Sequence, residues 1–356
     1  MKDLGHGANV EYMANIYKKD SNEIIDFSSN INPKIINNIE AYVTESIYKC
    51  RSYPDIYYTN LRKNISKYIS IKPEFIVPGN GATEIIYLLM KSINHRLAIL
   101  NPTFSEYERS AKLNNLEILN LNLREDNNFE INMNDIIENL DKFDSLFICN
   151  PNNPNGKVKD LTCLLEVMVK NNKLLIIDET FMEFVEDENK YSLIKYVDKY
   201  ENIFILKAVT KFFGLPGLRL GYGVTSNKKI IENIYKYKEP WTINSFAENL
   251  SNYIFEDKEY IDDSKKYYIQ ERDYMLKDLR NIKNIHVYDT DTNFILIKLK
   301  NLKSSKLKEE LFKHANILIR DASNFIGLDD SFIRVAIKSH KENKILIKEL
   351  KKILGY

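Results

Sequence analysis

Residues 145–178 read SLFICNPNNPNGKVKDLTCLLEVMVKNNKLLIID, and the fold is decided there. A short apolar run, 145–149, empties into an Asn/Pro/Gly loop that cannot continue a strand. Residues 160–172 then carry helical periodicity, and a second apolar run, 174–178, ends on Asp178. Strand, covering helix and strand is the pattern of a βα unit in a mainly parallel sheet covered on both faces. The alternation extends in both directions. Strands are expected at 97–101, 203–207 and 218–225, and a helix at 81–94 with Asn80 or Gly81 as its start signal. An α/β domain over 45–245 follows, and open α/β sheets hold ligands at the carboxyl ends of their strands.

After Pro240 the pattern changes. A polar, Tyr- and Lys-rich helical stretch at 244–281 reads as a connector. Beyond it the chain reads strand (293–299), helix (304–314), strand (316–320), strand (332–337) and helix (340–354). A smaller C-terminal α/β domain over 246–356 is expected, with residues 1–44 as an N-terminal arm that also supplies part of it. No internal repeat or low-complexity linker interrupts the chain.

Composition removes several function classes. The 356 residues are 44% hydrophobic and 28% charged, with a formal net charge of +1, so there is ample core and no basic surplus for nucleic acid. Cys50, Cys149 and Cys163 form no CxxC pair, which fits a reducing compartment and no thiolate metal site. The N-terminus lacks a secretory apolar core, and no apolar run approaches the ~20 residues of a membrane span. A cytoplasmic location is expected. The five histidines are scattered without HExxH spacing, so no metal is expected, and neither GxGxxG nor GxxxxGK[ST] occurs. A small-molecule substrate is the remaining expectation.

Taken one at a time, the strand-end residues read blandly: 150–156 as a turn, Asp178 as a helix cap, Lys211 as a solvated lysine. Arg219, inside the apolar, glycine-punctuated PGLRLGYG, is harder to dismiss. Together and in this order they describe a site for pyridoxal 5'-phosphate. The aldehyde needs a lysine, supplied by Lys211. The pyridine nitrogen needs an anion, Asp178, worth about 1 to 3 pKa units to its proton. Asn153 is placed to donate to the phenolate oxygen. The phosphate needs helix N-terminal N–H groups and a cation, met by Gly79-Asn80-Gly81-Ala82-Thr83 and Arg219. Phe104 is placed to stack on the ring.

These residues resemble the fold-type I pyridoxal phosphate enzymes, the class I/II aminotransferase superfamily, along essentially the whole chain. The resemblance implies that Lys211 holds the cofactor covalently, with Thr210 beside it. Asp178 would pair with the ring nitrogen, Asn153 would contact the phenolic oxygen and Arg219 would bind the phosphate. Arg334, in Phe332-Ile333-Arg334-Val335-Ala336, would grip the substrate's α-carboxylate. Tyr53 would reach the cofactor phosphate of a neighbouring subunit, implying a homodimer with shared sites.

Two subfamilies share this layout, the threonine-phosphate decarboxylases of cobalamin synthesis and the histidinol-phosphate aminotransferases. His6-Gly7-Ala8-Asn9 and Asp26-Phe27-Ser28-Ser29-Asn30-Ile31-Asn32-Pro33 resemble the decarboxylase's words. So does Phe181, where the aminotransferases usually carry a tyrosine that helps hold the phenolate oxygen. The resemblance implies a substrate site of His6, Asn30, Asn32, Asn153, Arg320 and Arg334, and decarboxylation of threonine phosphate to aminopropanol phosphate. The alternative is transamination of histidinol phosphate with 2-oxoglutarate; a non-catalytic cofactor-binding protein ranks third. Three departures stand out: Ala208 where Ser or Thr is usual, Ala8 for Gly, and Asn155 for Thr.

Overall fold

The computed structural model describes residues 7–93 and 96–355. The strands, in chain order, are β1 (Ile25–Asp26), β2 (Ile76–Asn80), β3 (Arg96–Asn101), β4 (Glu117–Asn122), β5 (Ser145–Cys149), β6 (Leu174–Asp178) and β7 (Ile203–Ala208). They continue as β8 (Leu220–Val224), β9 (Ile285–Val287), β10 (Phe294–Leu299), β11 (Ile317–Leu318), β12 (Arg320–Asp321) and β13 (Phe332–Ala336).

Seven of them form one sheet in the order β2-β8-β7-β6-β5-β3-β4. Only β8 opposes its neighbours; the remaining pairs are parallel. Side chains alternate between two apolar layers, as a doubly covered sheet requires. Leu97, Ile99, Phe147, Ile176 and Phe204 pack on one face with Ile85 and Leu89 of the helix Gly81–Ser92. Ala98, Leu146, Ile148, Leu175 and Ile205 pack on the other with Leu164 and Met168 of the helix Thr162–Lys170. Each fully buried Leu, Ile or Phe contributes roughly 1.5 to 3 kcal/mol of transfer free energy.

β9, β10, β12 and β13 make a second, antiparallel sheet in the order β12-β13-β10-β9, and β1 pairs in parallel with β11. The single strand expected over 316–320 is therefore two short ones. The helix Ser304–Ala315 ends with Asn316 in the left-handed region (φ 56°); β11 then joins β1, while β12 joins β13. The connector at 244–281 is likewise two helices, Ser245–Ile254 and Lys258–Leu279. Asn244 caps the first by accepting from Ala247 N at 2.9 Å, and Asp257 caps the second by accepting from Tyr260 N at 3.0 Å. The strand expected at 218–225 begins only at Leu220, because Arg219 takes φ 56°.

No helix among the described residues is long and apolar enough to cross a membrane. The parallel strands bring their carboxyl ends to one edge of the sheet. β5, β6 and β7 end there and so does β2, while β8, running backwards, starts there just after Arg219.

Candidate active site

At that edge lies a cavity of about 270 Å³. Phe104, Asn153, Asp178, Phe181, Thr210 and Lys211 line it, joined by Ala82, Thr83 and Arg219. Asn30, Arg320 and Arg334 form the wall contributed by the N-terminal segment and the second sheet. Gly81 starts the helix Gly81–Ser92 at φ 78°, and a Cβ built there would sit 2.5 Å from Arg219 Nη2. The guanidinium thus lies directly against the helix N-terminus, where N–H groups and the macrodipole favour an anion.

Asp178 closes β6 and is buried. Its Oδ1 accepts from Thr180 N at 2.8 Å and its Oδ2 from the Tyr107 hydroxyl at 2.6 Å. Burial raises its pKa above the ordinary carboxylate value, against the opposing pull of these donors. Lys211 lies in the turn after β7. Burial, then Arg334 and Arg219, pull its ammonium down to about 8, so a substantial neutral fraction exists near physiological pH.

Arg334, on β13, is buried and points across from the second sheet. Nη1 donates to Asn153 Oδ1 at 2.5 Å and Nη2 to the Ser28 carbonyl at 3.0 Å, while Nε has no partner among the described residues. Its Cζ sits 5.1 Å from the Phe294 ring centroid. Burial, then Arg320, pull it down to about 9. Arg320 Nη2 donates to Asn324 Oδ1 at 2.5 Å and its Cζ lies 5.3 Å from the Phe325 ring centroid. Phe181 packs edge-on against Phe294 at 4.9 Å.

The residues present fit pyridoxal phosphate. A buried carboxylate with hydrogen bonds but no ion pair among the described residues faces the same cavity as a desolvated lysine, and an anion cradle with its own arginine opens beside them. Buried groups of this kind are costly without a charged partner.

Two expected residues stand elsewhere. Asn32 does not line the cavity. It is buried, and its Nδ2 donates to Phe212 O, Tyr260 Oη and Ser264 Oγ at 2.9, 3.0 and 3.0 Å, while its Oδ1 accepts from Lys34 N. With both ends of the amide engaged, it holds the turn after Lys211, to whose carbonyl its own N–H also donates, and cannot turn to a substrate. Tyr53 is 81% exposed and packs on Trp241 at 4.8 Å, outside the cavity of its own chain. His6 falls outside the described residues.

Sequence reasoning missed Tyr107 and Ser28. Tyr107 is buried and stacked on Phe147 at 3.9 Å, so by pattern it is an ordinary core tyrosine. Ser28 acts through its carbonyl, which composition and motif do not reveal. Its hydroxyl also donates to Asp26 Oδ1 at 2.5 Å and accepts from Ala8 N at 3.0 Å.

Comparison with known proteins agrees with this geometry. The sequence profile of the family Aminotransferase class I and II matches residues 21–350. A protein of Caldanaerobacter subterraneus, provisionally named threonine-phosphate decarboxylase, is 42% identical over 303 residues, covering 84% of this chain and 82% of its own. A histidinol-phosphate aminotransferase of Methanocaldococcus jannaschii is 30% identical, covering 100% of this chain and 96% of its own. Among solved structures, a histidinol-phosphate aminotransferase from Clostridium acetobutylicum superposes with a TM-score of 0.87 at 38% identity, over 92% of this chain and 98% of the other. The chain belongs to the class I and II aminotransferase family. It has the fold-type I architecture and is a pyridoxal phosphate-dependent enzyme of the decarboxylase and aminotransferase group.

Proposed function

We propose that this enzyme removes the α-carboxylate of L-threonine O-3-phosphate as carbon dioxide, leaving aminopropanol phosphate. The observation that carries the reading is the pair of guanidiniums on one cavity wall. Arg334 is buried with one Nη1 donor on the Asn153 amide oxygen and one Nη2 donor on the Ser28 carbonyl, its Nε has no partner among the described residues, so N–H donors remain for a carboxylate, and Arg320 lies close enough to depress it. A substrate bearing both a carboxylate and a phosphate suits two such cations. Histidinol phosphate brings a phosphate but no carboxylate, so transamination would use the two cations in turn, with 2-oxoglutarate supplying the carboxylate in the other half of the reaction. Phe181 supports the same choice, since it offers no hydroxyl to the cavity.

When bound, pyridoxal phosphate takes up the electron pair released as a bond to the substrate's α-carbon breaks. The chain decides which bond that is. Arg334 takes the carboxylate and fixes its direction, because a held geometry selects the bond best aligned for cleavage. Lys211, with its ammonium near 8, carries a proton at neutral pH and returns one to the α-carbon. Asp178 would keep the ring nitrogen protonated, and the buried Asn30 Oδ1, without a partner among the described residues, would accept from the substrate. Phe104 and Phe181 keep water from the reacting face.

The same reading includes a homodimer with shared sites. Tyr48, Tyr53 and Tyr57 stand exposed in one stretch of chain, with the exposed Trp241 packed on Tyr53, and exposed aromatic surface of this kind marks association. Purified protein supplied with threonine phosphate should release carbon dioxide and aminopropanol phosphate with no keto-acid present. Strict dependence on 2-oxoglutarate, together with turnover of histidinol phosphate, would establish transamination instead.

A further inference from the structure

We propose that Lys238 is a positioning residue for the cofactor phosphate. It acts by neutralising Glu84, a carboxylate set in the first turns of the helix whose N-terminus forms the anion cradle. The inference rests on the reading that Gly81, Ala82, Thr83 and Arg219 hold that phosphate.

Glu84 is the fourth residue of the helix Gly81–Ser92. Its Oε2 accepts from Asn80 N at 2.6 Å, so this carboxylate already occupies an N–H at the mouth of the cradle. It also presses on the strand leading in: a Cβ on Gly79 would lie 3.1 Å from the same oxygen. A second anion placed there competes with a phosphate for the positive end of the helix and repels it, since both charges lie within the first turn where the dipole acts.

Lys238 removes that conflict. It follows the helix Lys228–Tyr237, and its side chain is only 3% exposed. Nζ donates to Glu84 Oε2 at 2.8 Å and to Thr242 Oγ1 at 2.5 Å, and lies 5.8 Å from the Tyr58 ring centroid. Thr242 Oγ1 in turn lies 3.2 Å from Glu84 Oε2. Burial makes the pair hard to dissolve into solvent. With Glu84 neutralised, Arg219 against Gly81 is left as the uncompensated charge that the phosphate meets.

The test compares a ligand with and without the phosphate. Dissociation constants of pyridoxal phosphate and of pyridoxal are measured by cofactor absorbance on the full chain. Lys238→Met should weaken pyridoxal phosphate at least about tenfold while moving pyridoxal by less than about twofold. Adding Glu84→Gln to Lys238→Met should restore pyridoxal phosphate to within about threefold of the parent. Equal losses for both ligands, or no restoration in the double variant, would show a purely structural role and overturn the proposal. Should Lys238→Met fail to fold, Glu84→Gln alone decides: it should bind pyridoxal phosphate at least as tightly as the parent, and weaker binding overturns the proposal. Arg219→Ala separates the two levels of the argument. It should erase the preference for pyridoxal phosphate over pyridoxal; if it does not, the cradle reading itself fails, whereas failure confined to the Lys238 and Glu84 variants leaves that reading standing.

Discussion

The Tyr107 hydroxyl donates to Asp178 Oδ2 at 2.6 Å, and the tyrosine ring is held in place by stacking on Phe147 at 3.9 Å between centroids. Burial and the adjacent carboxylate keep that phenol far above its ordinary pKa, so it remains a donor throughout the working range. Its effect is to stabilise Asp178 as an anion where desolvation works against it.

Tyr107→Phe keeps the ring and removes only this donor. A hydrogen bond to a charged group is worth about 1.5 to 3 kcal/mol, so cofactor affinity and kcat should each fall by roughly tenfold or more. Circular dichroism and thermal stability should stay near those of the parent. Unchanged affinity measured by cofactor absorbance would remove Tyr107 from the site.

Lys211 links function to stability. Its folded pKa, about 8, lies below the ordinary lysine value of 10.5. A cation whose folded pKa is depressed costs the folded state stability while charged, and the cost disappears as pH rises from about 8 toward the unfolded value. In cofactor-free protein, Lys211→Met should therefore be more stable than the parent at pH ~7, by about 1 to 3 kcal/mol. The gap should begin to narrow above pH ~8 and close only near pH ~10.5. Denaturant titrations across that range decide it: a gap that stays constant with pH would show that the gain comes from packing. The same pKa requires that covalent cofactor attachment speed up with pH and level off near 8.

Asn32 separates scaffold from site. Because its amide ties Phe212 O, Tyr260 Oη and Ser264 Oγ together, Asn32→Ala leaves several buried polar groups unpaired. About 2 to 3 kcal/mol of stability should be lost, with KM for the phosphorylated substrate changed less than about threefold. A large rise in KM at intact stability would return Asn32 to the substrate site.

The legible part of this molecule is the part written as local pattern. The run from Ser145 to Asp178 shows strand, helix and strand because continuous apolar runs and helical periodicity are short-range signals. Asp178, Asn153 and Lys211 follow because the ends of those strands are where ligands sit. Legibility failed where tertiary pairing overrides the local signal. β2 contains Pro78 and Gly79 yet pairs at the sheet edge, and β4 is an edge strand whose Ile118, Leu119 and Leu121 are interrupted by Asn120, with only Leu121 buried. The break between β11 and β12 is set by two different partners. Asn32 carries the right residue type inside the right motif, but its side chain faces a helix and not the cavity, a matter of direction that spacing alone does not settle.

Gly81 and Gly221 give a paired prediction, because the same added methyl meets different obstacles. At Gly81, φ is 78° and the nearest atom to a Cβ is Arg219 Nη2 at 2.5 Å, the far end of a flexible side chain. Gly81→Ala therefore costs about 1 kcal/mol for the left-handed backbone, and the guanidinium swings away. The protein should fold, with a slightly lower Tm, and bind pyridoxal phosphate at least about tenfold more weakly, since one charge-assisted contact is lost. At Gly221 a Cβ would lie 2.3 Å from Ala82 N and 2.7 Å from Gly81 C. Backbone meets backbone there, and neither β8 nor the helix can yield without breaking the register Gly79↔Gly221. Gly221→Ala should lose several times more stability, with apo and cofactor-loaded protein affected alike. Thermal melts of the two variants, each with and without cofactor, decide the matter. If Gly81→Ala keeps full cofactor-induced stabilisation, Arg219 does not act through its contact with the helix N-terminus, and the phosphate must be held from another side.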